Sequence, residues 1–432
     1  MSSPAPNYIR RVVDDELDAL FASLVAVSIE GPKAVGKTET ALQRAQTVYR
    51  LDDTSQRELI EADSQRLLEG DRPVLIDEWQ RLPRSWDAVR REVDKPGSAP
   101  GSFLLTGSAT LPAEASIHSG AGRIVSVRMR PLTLSERGIA EPTVSLAALL
   151  EGGRDSLTGE TELRLEHYAN EILGSGFPGL RGLSARALRA QLDGYIDRIV
   201  TREFPQLGFN VRNPAALRRW LAAYAAASST TATYETIRDA ATSGEGNKPS
   251  RVTVGPYRDT LERLWVVDPV PAWAPTRNHL RRLGLAPKHQ LVDPALAARL
   301  TGVGIGALLR GADSPTAATI PRDGTYLGAL FESLVTNDVR VYAQAAEARV
   351  SHLRTSGGEH EVDLIVERDD GRVLALEVKL SVTVDDEDVQ HLNWLAERIG
   401  GDLIDAVVVT TGQYAFRRRD GIAVVPAGLL GA

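Results

Sequence analysis

The chain has no cysteine, which excludes disulfides and thiolate metal sites and fits a cytoplasmic protein. Its seven histidines are scattered, with no spacing that suits zinc. No apolar run approaches the length of a membrane span, so no membrane partner is expected. Met1 to Arg11 lacks the apolar centre of a signal peptide. Positive charge is not in excess: 50 Lys plus Arg stand against 57 Asp plus Glu, a net charge of −7. Such a chain has no general attraction to nucleic acid, so any contact with DNA must use a local basic patch. Lysine in particular is scarce, with six residues at positions 33, 37, 95, 248, 288 and 379. Arginine is the default cation here, so a lysine suggests a place that needs a compact ammonium on a flexible stem.

What is present is ordinary in bulk. A hydrophobic content of 43% and a charged content of 25% over 432 residues describe a globular protein of about two to four domains. One octet stands out. Gly31-Pro32-Lys33-Ala34-Val35-Gly36-Lys37-Thr38 matches G-x-x-x-x-G-K-[ST], follows an apolar run from Leu24 to Ile29, and precedes a helical stretch from Glu39. Strand, glycine-rich loop and helix is the order that phosphate binding requires. The loop amides and the positive end of the helix would cradle a polyphosphate. Lys37 would reach the outer phosphates, and the Thr38 hydroxyl would ligate Mg²⁺. ATP and Mg²⁺ are therefore the expected ligands, although sequence alone does not separate adenine from guanine.

Two further strand ends fit this chemistry. Pro73 to Ile76 is an apolar strand that ends in Asp77-Glu78, with Asp77 suited to the magnesium shell and Glu78 to polarising the attacking water. Phe103-Leu104-Leu105-Thr106-Gly107-Ser108 ends in small polar residues, so Thr106 or Ser108 can sense the γ-phosphate at the carboxyl edge of a parallel sheet. Gly120-Ala121-Gly122-Arg123 leads into another strand. Arg123 is a candidate to stabilise transition-state charge, in its own site or in a neighbour's if the chain forms an oligomer; a surface salt bridge is the plainer use.

Taken together, Ile29-Glu30-Gly31-Pro32 through Lys37-Thr38, Asp77-Glu78-Trp79-Gln80, Leu105-Thr106-Gly107-Ser108, Gly122-Arg123 and Pro131-Leu132-Thr133-Leu134-Ser135-Glu136 resemble a family of prokaryotic AAA+-like ATPases that carry a C-terminal region of uncharacterised function. The resemblance spans nearly the whole chain and departs at Lys33, where the family more often has arginine. It implies a P-loop core and a nucleotide ligand. It also implies that the stretch around Tyr195 to Glu203 closes an ATPase lid, where Arg198 or Arg202 would touch nucleotide or simply line a solvated helix face.

The middle and the end of the chain carry weaker signals. Gly138 to Thr161, rich in Gly, Ser and Glu, reads as a joining stretch. Helical patterns at Ala215 to Ala227, Tyr234 to Ala241 and Arg251 to Leu264, followed by Trp265-Val266-Val267 and Val270 to Trp273, suggest a winged helix whose third helix offers Arg251, Arg258 and Arg263 to DNA phosphates. Asp259 and Glu262 interrupt that row, so internal salt bridges compete with this use. Near the end, Asp363 on one strand and Glu377-Val378-Lys379 on the next have the spacing of the PD-(D/E)xK nuclease fold. Val362 stands where the motif name has proline. Glu332 lies on a preceding helix and Gln390 on a following one. A three-residue Asp-Asp-Gly loop would set Asp363 opposite Glu377 on one face. Two carboxylates and a lysine there would form a hard-cation site, or an unused relic of one.

The expected architecture is therefore α/β: a P-loop AAA+-like ATPase core (residues 1–140), a helical lid and linker (141–210), a winged-helix module (211–300) and a restriction-endonuclease-like α/β domain (301–432). The expected function is Mg-ATP hydrolysis that drives or gates the two later modules, acting on nucleic acid. An ATP-regulated metal-dependent nuclease, and a non-catalytic nucleotide-dependent switch that binds DNA or a protein partner, are the alternatives.

Overall fold

The computed structural model describes residues 8–109, 120–153, 157–209, 211, 213–242, 251–276, 285–310, 324–355 and 357–432. The chain divides into two compact units, the first made of Met1–Arg130, Phe177–Gly179 and Asp259–Val266 and the second of the remainder.

The first unit is built on five parallel strands, β1 (Ala26–Glu30), β2 (Thr47–Arg50), β3 (Val74–Asp77), β4 (Phe103–Gly107) and β5 (Ile124–Arg128), in the order β2-β3-β4-β1-β5. β3 and β4 are buried along their whole length, which is why they read as unbroken apolar runs rather than alternating ones. Trp79 and Trp86, with ring centroids 4.4 Å apart, join Ile60, Leu67, Val89 and Phe103 in the core on one face. Because β3, β4 and β1 are neighbours, the three segments that leave their carboxyl ends converge on one edge of the sheet.

The second unit carries an eight-stranded mixed sheet. Its strands are β7 (Gly159–Glu160), β8 (Ala272–Trp273), β9 (Arg349–Arg354), β10 (Glu361–Glu367), β11 (Val373–Val378), β12 (Leu403–Thr410), β13 (Tyr414–Arg417) and β14 (Ala423–Pro426). They run in the order β7-β13-β14-β12-β11-β10-β9-β8. The helix Gly324–Ala345 buries Leu327, Leu330, Phe331, Leu334 and Val335, a spacing of three and four that makes one apolar stripe. The helix Gln390–Ile399 buries Leu392 and Leu395 in a core shared with Val362, Ile365, Val373 and Ala375.

Two stretches differ from their sequence reading. Gly138 to Thr161 is not a free connector. It contains β6 (Val144–Ser145), which pairs in parallel with β15 (Leu430–Gly431), and β7, which pairs with β13. The edges of β13 and β15 leave backbone groups that need partners, and this stretch supplies them. Likewise Pro131 to Ser135 lies on the helix Gly324–Ala345: Asn337 donates to Pro131 O at 3.2 Å, Asp338 accepts from the Leu134 N–H at 3.2 Å, and Tyr342 donates to Ser135 Oγ at 3.0 Å. Burial pushes the Asp338 carboxyl up to about 7.

In the middle region, helices span Pro214–Ala226, Tyr234–Ala240 and Arg251–Arg263. The segment expected to return as a wing does something else. Ala272–Trp273 pairs with His352 and Leu353 of β9, while Val267 and Val270 bridge to Leu291 and Lys288. Arg258 stacks on the Tyr234 ring at 5.0 Å, and the Arg251 side chain lies outside the described residues.

Candidate functional site

The phosphate loop is shaped by close backbone approach. A Cβ at Gly31 would lie 2.2 Å from Met129 O, so only glycine allows the turn out of β1 to pass beneath β5's continuation. Arg11, buried, braces the loop from below by donating to Val35 O at 3.0 Å and to Arg130 O at 2.7 Å. The helix Lys37–Leu42 starts directly at Lys37. Its ammonium folds back over the loop and donates to Gly31 O at 2.9 Å and Pro32 O at 2.8 Å. Burial depresses the Lys37 ammonium to about 8, although Glu78 and Asp77 pull in the opposite direction. Pro32 and Val35 are buried, Lys33 is half-buried and Ala34 is exposed with φ of 65°.

The other two strand ends meet this loop. Thr38 Oγ1 donates to Asp77 Oδ1 at 2.8 Å, and Thr106 Oγ1 donates to the same oxygen. The Glu78 N–H in turn donates to Thr106 Oγ1 at 3.3 Å. Glu78 takes a left-handed backbone conformation, φ 55°. Its Oε2 accepts from Ser108 Oγ at 2.9 Å and from Gln80 Nε2 at 2.6 Å, while Oε1 has no hydrogen-bond partner among the described residues. Gln80 also donates to Ser108 Oγ at 3.0 Å. The result is a linked set: Lys37, then Thr38, Asp77 and Thr106, then Glu78, Ser108 and Gln80.

Gln80 was not singled out from sequence as a site residue. It follows Glu78 by two positions in a tight turn, where no periodicity announces it. Arg123 is the reverse case. It precedes β5, whose Ile124 is level with Ala26 at the start of β1, so Arg123 lies at the amino edge of the sheet while the phosphate loop leaves the carboxyl edge. There it pairs with Asp94 at 2.8 Å. This corrects the expectation that Arg123 serves the site of its own chain.

A hydroxyl and a carboxylate, both hard oxygen donors, suit Mg²⁺. Thr38 and Asp77 would hold it. The fit is supported by their shared hydrogen bond, which places both oxygens at one point beside the loop.

The second candidate constellation lies in the other unit. The turn between β10 and β11 is the Asp369-Asp370-Gly371 loop, closed by Arg368 N–H to Arg372 O at 2.9 Å, with Gly371 at φ 82°. Leu364 faces Leu376 and Glu367 faces Val373, a register that carries on to set Asp363 against Glu377. Lys379 pairs with Glu377 at 3.0 Å, and the Val378 N–H donates to Asp363 at 2.9 Å. Burial, reinforced by Asp363, pushes Glu377 up to about 8; burial and Asp363 also push Glu332 up to about 8. Gln390 does not join them. It is the exposed first residue of its helix, and its side chain has no hydrogen-bond partner among the described residues. The next residue, His391, is the one within electrostatic reach of Lys379, Glu361 and Asp363.

Sequence reasoning missed the residue at the centre of this cluster. Lys288 reaches Glu332 at 2.8 Å, Asp363 at 3.0 Å and Glu361 at 3.1 Å. The scarcity of lysine pointed to it, but nothing in its neighbourhood named its partners. Among the described residues, no group of three His, Asp or Glu side chains is disposed to hold a metal ion.

Three stretches of the chain match known families. Residues 25–137 match a family described as an AAA domain. Residues 165–305 and 327–430 match two domains of unknown function, DUF8612 and DUF4143. No curated protein matches the chain. Among solved structures, a Walker-type ATPase of Pyrococcus abyssi is similar over 66% of this chain and 94% of its own, at 15% identity and a TM-score of 0.38. Residues 25–137 are thus similar to an AAA domain, and their parallel sheet and glycine-rich loop have the layout of a P-loop fold. Among the described residues, no helix is long and apolar enough to cross a membrane.

Proposed function

We propose that the chain binds Mg-ATP and hydrolyses it at the edge where β1, β3 and β4 end. The observation that carries this reading is the linked set from Lys37 to Gln80, assembled from three strand ends far apart in sequence. Lys37 exchanges its two carbonyl acceptors for the β- and γ-phosphates, a trade favoured because an ammonium depressed by burial gains most from an anion. Thr38 and Asp77 would hold the metal ion, which would neutralise charge on the phosphates. Glu78 keeps one carboxylate oxygen fixed by Ser108 and Gln80 and turns the other toward the attacking water, taking up its proton as the water oxygen bonds to the γ-phosphorus and the bond to the β,γ-bridging oxygen breaks, with ADP as the leaving group. Thr106 ties Glu78's backbone to Asp77, so the acid that positions metal and the acid that positions water move together.

The test is phosphate release from ATP by the purified chain with and without Mg²⁺, beside the Thr38→Ala variant. Turnover that depends on Mg²⁺ and on Thr38 is expected. Well-folded protein that takes up neither ATP nor GTP in a calorimeter removes the reading altogether.

Hydrolysis is proposed to drive or gate the later modules. Of the winged-helix reading only the three helices between Pro214 and Arg263 carry forward, since Ala272–Trp273 pairs with β9. Arg258, one of the arginines offered to DNA, is engaged with the Tyr234 ring. Gel-shift titration at stated salt, with and without ATP, separates DNA from a protein partner. The nuclease reading rests on Asp363, Glu377 and Lys379 sharing one face.

A further inference from the structure

The carboxylate cluster of the C-terminal sheet already has a cation at its centre. Lys288 Nζ donates to Glu332 at 2.8 Å and to Asp363 at 3.0 Å and is ion-paired with Glu361 at 3.1 Å. The lysine is wholly buried. It is also delivered by fixed backbone: its N–H donates to Val270 O at 2.9 Å, and the Val270 N–H donates back at 2.8 Å. Its neighbour His289 is held by Thr230 O and by the Ser229 N–H, each at 2.8 Å, and its ring lies 2.7 Å from Ala232 O. The main chain that carries Lys288 is therefore fixed on both sides of it.

We propose that Lys288 is a built-in substitute for a divalent cation: it closes the Glu332, Glu361 and Asp363 carboxylate set, and this face takes up a divalent ion only when Lys288 withdraws or is removed. Hard divalent ions need carboxylate oxygens at roughly 2.0–2.6 Å, and the point those three oxygens share is filled. Electrostatics removes the demand as well as the space. Burial alone would depress the Lys288 ammonium, but Asp363, Glu332 and Glu361 outweigh it and hold it well above the ordinary lysine range. With Lys379 on Glu377, two ammonium groups face the four carboxyls of this face. One group is left over. Glu377 Oε2 is buried and has no hydrogen-bond partner among the described residues, the oxygen an incoming ion would use. The inference goes beyond the ATPase reading and does not depend on it.

Mn²⁺ binding to the full-length chain, read by electron paramagnetic resonance without nucleotide, is the test. The parent carries Asp77→Asn so that the phosphate-loop ligand is out of the count. The parent is expected to show no specific Mn²⁺ site in the C-terminal unit. Adding Lys288→Met creates one site that binds about ten-fold tighter or better than anything in the parent, and Mn²⁺ then raises the melting temperature. Adding Asp363→Asn abolishes both gains. A parent that binds Mn²⁺ as tightly as the Lys288→Met protein overturns the proposal, as does a folded Lys288→Met protein that gains no site. Should Lys288→Met fail to fold, reductive methylation of the unmutated chain decides, read by mass spectrometry. Lys95, with 59% of its side chain exposed, is modified while Lys288 stays protected. Labelling of Lys288 as fast as Lys95 overturns the proposal.

Discussion

Two of the chain's few lysines are buried, and they are buried in opposite ways. Among the described residues, Lys37 has only carbonyl oxygens as hydrogen-bond partners where it crosses the phosphate loop, and burial depresses its ammonium to about 8. Lys288 is surrounded by three carboxylates that hold its ammonium far up. The first is a cation left short of negative charge, the state expected of a group whose partner arrives from solution. The second is saturated from within. A buried charge that is costly without a ligand marks a binding site, and a buried charge that is already matched marks a joint in the fold. By that criterion the edge at the glycine-rich loop is open to an anion and the C-terminal cluster is closed to a cation.

The largest effect that would break this comparison concerns turnover. Glu78→Gln keeps the bonds to Gln80 and Ser108 in outline but cannot accept a proton. We expect ATP hydrolysis to fall by roughly 10²–10⁴-fold, the usual share of a general base, while ATP binding persists. Asp363→Asn, in the closed cluster, leaves the ATPase rate of the folded protein unchanged. Phosphate-release kinetics on both variants check this, and equal losses would mean that the two sites are not distinct in function.

Stability gives the next contrast. Lys288→Met strands three carboxylates and should cost roughly 3–5 kcal/mol, the range for removing one partner of a buried ion set. The wild-type contribution is fully present at neutral pH, since the raised ammonium releases its proton only as pH climbs above the ordinary lysine value of 10.5. Lys37→Met should do the reverse. It abolishes tight ATP binding, yet stabilises the nucleotide-free protein at pH 7 by at most about 3 kcal/mol, the worth of a shift from 10.5 to about 8. Urea unfolding of the two variants measures both signs.

How far the sequence anticipated these sites follows from how each is built. The phosphate loop was legible because eight contiguous residues make it and the chemistry tolerates few substitutes. Asp77, Glu78, Thr106 and Ser108 were legible because each ends an apolar strand, and parallel strands in one sheet bring their ends together. Arg123 misled because a Gly-rich loop followed by arginine looks like a second active-site loop. Only the level of Ile124 with Ala26 shows that it sits at the far edge. The stretch from Gly138 to Thr161 misled because its strands are two residues long, too short for any alternation to register. Lys288 could be noticed as one scarce lysine, but its partners lie 44 to 75 residues further along the chain. No local pattern connects residues that far apart.

Titration sharpens the contrast further. Glu332 is an acid raised in the fold to about 8, so between about 4.5 and 8 the folded state binds more protons than the unfolded one. Stability from this group therefore falls as pH rises through that window. Lys37 is a base depressed to about 8, so between about 8 and 10.5 the unfolded chain binds more protons and stability from that group rises with pH. Glu332→Gln is expected to reduce the first slope, which Glu377 and Asp338 share, and Lys37→Met the second, each leaving the other in place. Chemical denaturation at half-unit pH steps resolves the two. A single slope lost in both variants would mean that one coupled network, not two sites, titrates.

The smallest expected effect tests how the closed cluster is held in register. Gly371 stands at φ 82°, where a side chain is strained, yet a Cβ there would meet nothing within 4 Å. Gly371→Ala should therefore cost only about 1 kcal/mol, the backbone penalty alone, and leave Asp363 opposite Glu377. Deleting Asp370 is a different change. A two-residue loop moves the pairing by one position, turning Asp363 to the opposite face and leaving Lys288 short of one of its three carboxylates. The alanine variant should keep Lys288 protected from methylation, whereas the deletion should expose it. Exposure in both would mean that the loop, rather than the strand pairing, keeps the lysine in place.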